Sequence, residues 1–356
     1  MPPSMPSSID ELDRMLAEHL YVADEGLATA VYLALKLKRP LLLEGEAGVG
    51  KTEVAKVLSA ALGAELIRLQ CYEGLDVTHA VYEWNYARQL IEIRLSEAER
   101  ATAGGAAGDR AATGGDAATG GDAASRQRRE ETAGQAAGRE TAPPAGRDVR
   151  VRELFSPDFL IERPLLQALR DGRPRPPVLL IDELDRADEE FEGYLLELLS
   201  DFQITIPEIG TVKASAPPVV VITSNRTREL HDALKRRCVY AWIDYPTFEK
   251  ELRIITTKVP EAPTQLAAQV TGFVQELRQA DLYKVTGVSE TLDWVAALVA
   301  LDRQELDAAT IERTLGIVLK NQEDLQNVRG ERIQQMLNRA KTPGARTAGP
   351  QLPPRG

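Results

Sequence analysis

Cysteine is scarce: two residues, Cys71 and Cys238, in a chain of 356. Neither has a partner at a metal-ligand spacing, so a cysteine-built metal site is excluded. The two read as free thiols in a reducing cytoplasm. Basic charge is also short. Lys and Arg number 43 against 54 Asp and Glu, for a formal net charge of −11. Bulk binding to nucleic acid needs a basic face, and this balance argues against it. Long apolar runs are missing too. The longest stretch, LATAVYLALKLKRPLLL, is broken by Lys36, Lys38, Arg39 and Pro40, too short and too charged to span a bilayer. The opening MPPSMPSSIDEL has no basic segment leading into an apolar one, so no secretory signal is expected. What is present, 43% hydrophobic and 27% charged residues, is the profile of a soluble globular protein of one large domain or two ordinary ones.

The pattern then alternates between helix and strand. Ser8 followed by Glu11 is a capping-box spacing. It opens a helix expected to carry Leu12, Leu16 and Leu20 on one side. A second helix is expected over 24–37, closed by Pro40. PLLLEGE reads as a buried strand, KTEVAKVLSAALG as a helix ending at Gly63, and ELIRLQC as a strand. Strand, Gly-rich loop, helix, strand is a βαβ unit and implies a parallel sheet. Further on, a helix is expected from Pro164 to Arg170 and a strand in PPVLLIDELD. EEFEGYLLELLSD follows as a helix. FQITIPEIGTVK reads as a hairpin turning at Gly210, and PVVVITSN and CVYAWIDYP as two more strands. After Pro246 the pattern is helical to about residue 340. The expected organisation is an α/β core over 1–245, a smaller all-helical domain over 246–340 and a Pro/Gly-rich tail over 341–356.

Residues 101–146 stand apart. Ala and Gly dominate, Val, Ile, Leu, Met and aromatics are absent, and ATGGDA occurs twice in tandem at 112–117 and 118–123. Such a stretch cannot bury enough apolar surface to offset an ordering entropy of about 1–2 kcal/mol per residue. A disordered insertion is expected there.

Four stretches carry chemistry. GEAGVGKT fits the phosphate-binding pattern G-x-x-x-x-G-K-[ST] with Gly45, Glu46, Ala47, Gly48, Val49, Gly50, Lys51 and Thr52. Its glycines let consecutive backbone N–H groups turn inward on phosphate oxygens. The helix beginning near Lys51 adds its positive end. Lys51 supplies a mobile charge and Thr52 a hydroxyl for Mg²⁺. In VLLIDELDRAD an apolar strand delivers Asp182 and Glu183 at its carboxyl end, the edge where ligands lie in doubly wound sheets. Asp182 suits Mg²⁺ through water, and Glu183 suits the attacking water. VVVITSN ends in Thr223, Ser224 and Asn225, where a polar side chain can reach a terminal phosphate, although Asn also ends strands as a plain turn signal. Arg236 and Arg237 precede another strand as a basic pair in an acidic chain. A planar, permanent positive charge suits a phosphoryl transition state.

In this order the four stretches resemble AAA+ ATPases. LLIDELDRAD, the hairpin FQITIPEIG ahead of VVVITSN, and the late IDYP resemble the MoxR branch more narrowly. CYEGLDVTHAVYEWNY, FLIERPLLQAL and GVSETLDW resemble its CoxD-like members, ATPases of carbon monoxide dehydrogenase maturation. The resemblance spans roughly residues 8–340 outside the Ala/Gly-rich stretch. It implies an AAA+ P-loop core with a parallel sheet and a helical lid. Gly45 to Thr52 match Walker A, Asp182 and Glu183 match Walker B, and Asn225 matches sensor 1. The arginine finger falls on Arg237, with Arg236 the near alternative. The resemblance further implies a homo-oligomeric ring, usually hexameric, with ATP and Mg²⁺ at subunit interfaces. Its working surface would include the segment after the second strand and the hairpin at 202–213. Tyr82, Trp84 and Tyr86 would touch a client there or simply pack. One position departs from the family: where the lid usually carries a sensor-2 arginine, GVSET places Thr291. Either another cation such as Lys284 substitutes, or lid motion is less tightly coupled to nucleotide.

The function implied is ATP hydrolysis that remodels a partner protein, in metalloenzyme assembly of the molybdenum hydroxylase kind, together with a von Willebrand factor A-domain protein. A P-loop small-molecule kinase is the first alternative. Glu183, Asn225 and the helical second domain weigh against it. A ring ATPase acting on nucleic acid is the second. The acidic total and the lack of a helix-turn-helix or basic aromatic stripe weigh against that one.

Overall fold

The computed structural model describes residues 5–108 and 154–341. Helix α1 (Ile9–Glu18) begins at Ser8, whose Oγ accepts the Glu11 N–H at 3.2 Å. The Glu11 carboxylate answers one residue earlier than the usual capping box, accepting from the Ser7 backbone N–H and hydroxyl at 2.6 Å each. Leu12 and Leu16 are buried. Leu20, expected on the same side, lies beyond the helix. The chain turns there through a left-handed residue (φ 60°), and Leu20 is exposed. Helix α2 (Glu25–Leu37) starts on the side-chain cap of Asp24, and the strand β1 (Leu41–Gly45) is buried at every position.

The βαβ unit is completed by α3 (Lys51–Leu62), ended by Gly63 at φ 58°, and β2 (Leu66–Gln70). Four elements follow that the sequence pattern did not announce: α4 (Val77–Ala80), β3 (Tyr82–Trp84), α5 (Tyr86–Gly108) and β4 (Leu160–Glu162). Strands of three residues show too few alternations to be recognised. Helix α5 carries regular structure eight residues into the stretch expected to be disordered. Alanine has the best intrinsic helix propensity, so a helix already begun can propagate through Ala-rich sequence. The rest of that expectation, 109–146, and the tail from 342 lie outside the described residues.

The chain continues through α6 (Pro164–Leu169), β5 (Val178–Asp182), α7 (Glu189–Asp201), β6 (Gln203–Ile206), β7 (Gly210–Lys213), β8 (Val219–Ser224), α8 (Asp232–Lys235) and β9 (Val239–Ile243). Strands β6 and β7 form the expected hairpin. Its turn falls at 207–209, and Gly210, expected at the turn, instead opens β7 with φ 99°. Six helices follow: α9 (Phe248–Lys258), α10 (Thr264–Gln279), α11 (Val288–Ala300), α12 (Ala308–Thr314), α13 (Gln322–Val328) and α14 (Glu331–Lys341).

Five strands make one sheet in the order β2-β5-β8-β1-β9, every pair parallel. The register aligns Gly45 with Ile243, Glu44 with Ser224 and Gln70 with Asp182. The carboxyl ends of all five strands therefore share one edge, where β1 runs into the Gly-rich loop. Alternate residues of the sheet, Leu41, Leu43, Leu180 and Val221 among them, pack with Leu12, Leu16, Val31 and Leu58 from α1, α2 and α3. Each fully buried Leu contributes about 1.5–3 kcal/mol against remaining exposed. The helical region has its own core around Trp294 and Phe273, with ring centroids 5.6 Å apart. The Trp294 indole N–H donates to Thr314 Oγ1 at 2.9 Å.

The chain divides into two compact units. One comprises the residues up to Val81, Arg163–Thr205 and those from Thr211 onward, and so holds both the sheet and the six carboxyl-terminal helices. The other comprises Tyr82–Glu162 and Ile206–Gly210. No helix among the described residues is long and apolar enough to cross a membrane.

Candidate nucleotide site

Gly45 to Thr52 form a loop that leaves β1 and enters α3. Gly50 occupies the N-cap at φ 96°, a conformation that costs a side chain but not a glycine. Gly48, at φ 77°, has room for nothing larger, because a Cβ there would lie 3.0 Å from the Cα of Gly287. Lys51 is buried, and its ammonium donates to the carbonyls of Gly45 at 2.8 Å and Glu46 at 2.6 Å. Burial pushes it below the ordinary lysine value, against the opposing pull of Asp185, Glu46, Asp182 and Glu183.

The acid pair sits across the loop. Asp182 is buried at the end of β5. Its Oδ1 accepts the Thr52 hydroxyl at 2.9 Å and the Thr223 hydroxyl at 2.6 Å. Its Oδ2 accepts two N–H groups of Arg68, at 2.6 and 3.1 Å. Glu183 follows in the left-handed region (φ 55°, ψ 50°), strain of the kind that gathers at functional sites. Its backbone N–H donates to Thr223 Oγ1 at 2.9 Å. Its Oε2 accepts from Gln70 and from Arg186, each at 3.1 Å. Thr223 thus fixes both acids through one hydroxyl. Asp185 does the same for the next loop: its carboxylate accepts the N–H of Asn225 at 3.1 Å and the N–H and hydroxyl of Thr227 at 2.9 and 2.7 Å.

A cavity of about 440 Å³ opens over these residues. That size suits a small ligand. Its floor is the loop from Ala47 to Thr52 with Asp182, Glu183, Thr223 and Asn225. One wall comes from the turn Leu20–Val22 after α1, where the spacing from Leu12 and Leu16 predicts helix at Leu20. More of the lining comes from the helical region. Lys250, Ile254 and Lys258 lie one turn apart on α9, and Val288, Ser289 and Leu292 lie at the start of α11. The Val288 N–H donates to the Gly48 carbonyl at 2.8 Å, which bonds α11 directly to the loop. Lys258 pairs with Glu53 at 3.1 Å and Lys250 with Asp24 at 2.7 Å.

The residues fit a triphosphate and its metal. The loop offers a buried ammonium and leads into the amino end of α3, whose first N–H groups have no intrahelical partner. Thr52 places a hard oxygen donor beside the Asp182 carboxylate, which can hold a metal-bound water, as suits Mg²⁺ when phosphate and water complete its shell. Among the described residues no cluster of three His, Cys, Asp or Glu could form an all-protein cage.

Residues 40–114 match the family described as "AAA domain (dynein-related subfamily)". With the parallel sheet in place, the fold is settled. The core carries the AAA+ P-loop fold. Among solved structures, the chain is similar to a point mutant of Thermotoga maritima RuvB, with a TM-score of 0.46 and 15% identity over 90% of this chain and 75% of that one. The structure titled as the T. maritima RuvB Holliday junction branch migration motor gives a TM-score of 0.40 and 14% identity over 88% and 72%. Identity at this level says nothing of what this AAA+ core acts on.

Other expected positions fall away from the cavity. Arg236 and Arg237 precede β9 at its amino end, whereas Ile243 at its carboxyl end faces Gly45. The strand alone separates the pair from the loop by about 17 Å. Arg237 donates to Ser200 Oγ at 2.6 Å and to the Ala233 carbonyl at 2.9 Å, and Arg236 is exposed. Thr291, where the resemblance implies an arginine, is not part of the cavity lining. It is fully buried, and its hydroxyl donates to Glu251 and to the Gly287 carbonyl at 3.0 Å each. Glu251 in turn receives a bidentate pair of bonds from Arg278, both 2.6 Å. Lys284 is exposed and lies outside the cavity lining, so the cations the helical wall brings there are Lys250 and Lys258. Trp84 is buried against Phe155, with ring centroids 5.1 Å apart, while Tyr86 is 62% exposed. Both cysteines are free, and burial pushes each thiol up to about 12.

Arg68, Gln70 and Asp185 join the site without a sequence motif of their own. Arg68 and Gln70 alternate with buried Ile67 and Leu69 on β2. That alternation was legible, but the register opposite Asp182 was not. The spacing of Lys250, Ile254 and Lys258, four residues apart, was the available signal for the helical wall.

Proposed function

We propose that this chain is a Mg²⁺-dependent ATPase that works as a homo-oligomeric ring, usually of six, and uses hydrolysis to remodel a partner protein. One observation carries the reading: the phosphate-binding loop, the acid pair, Asn225 and the start of α11 converge on a single cavity. In it, Lys51 offsets the charge of the terminal phosphates. Glu183 accepts a proton from the attacking water, and Asn225 orients that water. Mg²⁺, held by Thr52 and by Asp182 through water, would neutralise charge on the phosphate oxygens. The arginine pair lies on the far edge of the sheet from its own loop, which favours its acting on a neighbour's site. Arg237 is the first choice there and Arg236 the second. The bond between Val288 and Gly48 gives loop contents a direct route to the helical lid. The resemblance to MoxR and CoxD-like ATPases supports a client among molybdenum-containing hydroxylases, with a von Willebrand factor A-domain protein as co-partner, in the cytoplasm.

The test is Glu183→Gln. The variant should bind a fluorescent ATP analogue as the natural chain does and lose at least about a hundredfold in turnover. It should also sediment as a ring with ATP and hold a metalloenzyme subunit on purification. Full turnover in the variant would remove Glu183 from the chemistry. A stable monomer at all concentrations would remove the ring. ADP formation only in the presence of a small-molecule acceptor would turn the reading to a kinase.

A further inference from the structure

Arg68 stands on the edge strand β2, half-exposed, and reaches inward to a carboxylate that is almost wholly buried. Its Nη2 and Nε both donate to Asp182 Oδ2, at 2.6 and 3.1 Å. The same Nη2 also donates to Gln70 Oε1, and Gln70 Nε2 donates to Glu183 Oε2 at 3.1 Å. Arg68 and Gln70 are two residues apart, so they share one face of the strand. The other oxygen of Asp182 is already taken by Thr52 and Thr223. Every acceptor edge of the aspartate that faces the cavity is therefore engaged, half of it by a permanent positive charge.

Building on the magnesium reading above, we propose that Arg68 is a tethered cation that competes with Mg²⁺ for Asp182. With the guanidinium seated, Asp182 is neutralised and Gln70 is held between Arg68 and Glu183. A divalent ion at Thr52 and Asp182 places a second positive charge on the same carboxylate and repels the first. Because Arg68 is half-exposed, it has water to move into, and its departure loosens Gln70 from below. The arginine thereby raises the Mg²⁺ concentration at which the site fills. It also couples metal arrival to the freedom of Glu183. Lysine could supply the charge but not the two-pronged hold.

The test titrates MgCl₂ into the full chain, stripped of metal by chelation, with a fixed low concentration of fluorescent ATP analogue. Nucleotide binding is the readout, and MgCl₂ alone is followed by melting temperature. In Arg68→Gln the half-saturating Mg²⁺ should fall at least about fivefold, while metal-free nucleotide affinity stays within twofold. Arg68→Lys should fall between the variant and the natural chain. An unchanged or raised half-saturation in both variants would overturn the tether while leaving the magnesium site standing. A natural chain whose nucleotide binding ignores Mg²⁺ altogether would overturn the magnesium reading, and the tether with it.

Discussion

Val288 donates its backbone N–H to the carbonyl of Gly48 at 2.8 Å, and Gly287 packs its Cα face against the same residue. The start of α11 and the Gly-rich loop thus touch through backbone. A Cβ at Gly287 would lie 2.8 Å from the Gly48 Cα and 2.6 Å from Glu290 Oε2. Glu290 can swing away but the loop backbone cannot. Gly287→Val should therefore push α11 off the loop, at about 1–3 kcal/mol of overpacking. Nucleotide affinity should fall roughly tenfold or more, while the melting temperature moves by only a few degrees. Equilibrium titration of a fluorescent ATP analogue checks the first, and calorimetry the second.

Thr223 bears on both acids at once. Its hydroxyl donates to Asp182 and accepts from the Glu183 N–H, and the residue is 1% exposed. Thr223→Val keeps the shape and deletes both bonds, leaving a backbone donor unpaired beneath a strained residue. Such a loss costs about 1–3 kcal/mol. Because Glu183 is the less anchored partner, turnover should fall more than nucleotide binding. A kcat reduced tenfold or more with KM within threefold is the expected result. Equal loss in both would show that Thr223 supports the fold and not the geometry of the acid pair.

The residues that announce themselves in sequence are those whose chemistry depends on local backbone. Gly48, Gly50, Lys51 and Thr52 need a loop of fixed length entering a helix, so spacing betrays them. Asp182 and Glu183 end an apolar strand, and Asn225 ends another. In a parallel sheet those ends share an edge. Arg68 and Gln70 were invisible because their role depends on the pairing of β2 with β5, which nothing local encodes. The exposed Leu20 misled for a related reason. Its spacing from Leu16 matches a helix, but the chain leaves the helix two residues earlier. By resemblance, Thr291 stands where an arginine is expected. It belongs instead to the buried network of Glu251 and Arg278, a tertiary arrangement of three separate helices.

Asp24 gives a pH signature. Burial alone would raise its carboxyl, but the Lys250 ammonium and the Leu27 N–H outweigh that and hold it below the ordinary value. A depressed folded value means the stabilisation is complete above the unfolded value of about 3.9 and is lost as pH falls through the folded one. Asn caps a helix as well as Asp does, so Asp24→Asn removes the charge pairing with Lys250 and spares the cap. The pair is more than half-exposed on the Asp24 side, and its worth is under about 1 kcal/mol. The melting temperature of the natural chain should exceed that of the variant slightly at pH 7. The two curves should converge below about pH 4. Curves that run parallel down to pH 3 would show that Lys250 contributes nothing through Asp24.

The arginine pair permits a sharper experiment, because its placement separates two modes of action. Arg236 and Arg237 lie at the amino end of β9, and the loop lies beyond its carboxyl end. At about 17 Å, neither side chain, at most about 7 Å long by the same bond lengths that fix backbone reach, closes the gap to its own site. Arg237 is held by Ser200 and Ala233, which pre-aims it, whereas exposed Arg236 is free to sweep. Each single alanine variant should bind nucleotide normally. The one that supplies the charge should lose about 10³-fold in turnover, and the other should lose less than tenfold. Mixing the inactive arginine variant with Lys51→Ala subunits should then restore activity. The first lends an intact loop and the second an intact arginine, so only mixed interfaces can work. Recovery should peak near equal proportions and vanish on dilution below the assembly concentration. If both arginine variants keep full turnover, the positive charge must come from elsewhere, and Lys250 and Lys258 on the cavity wall become the groups to replace next.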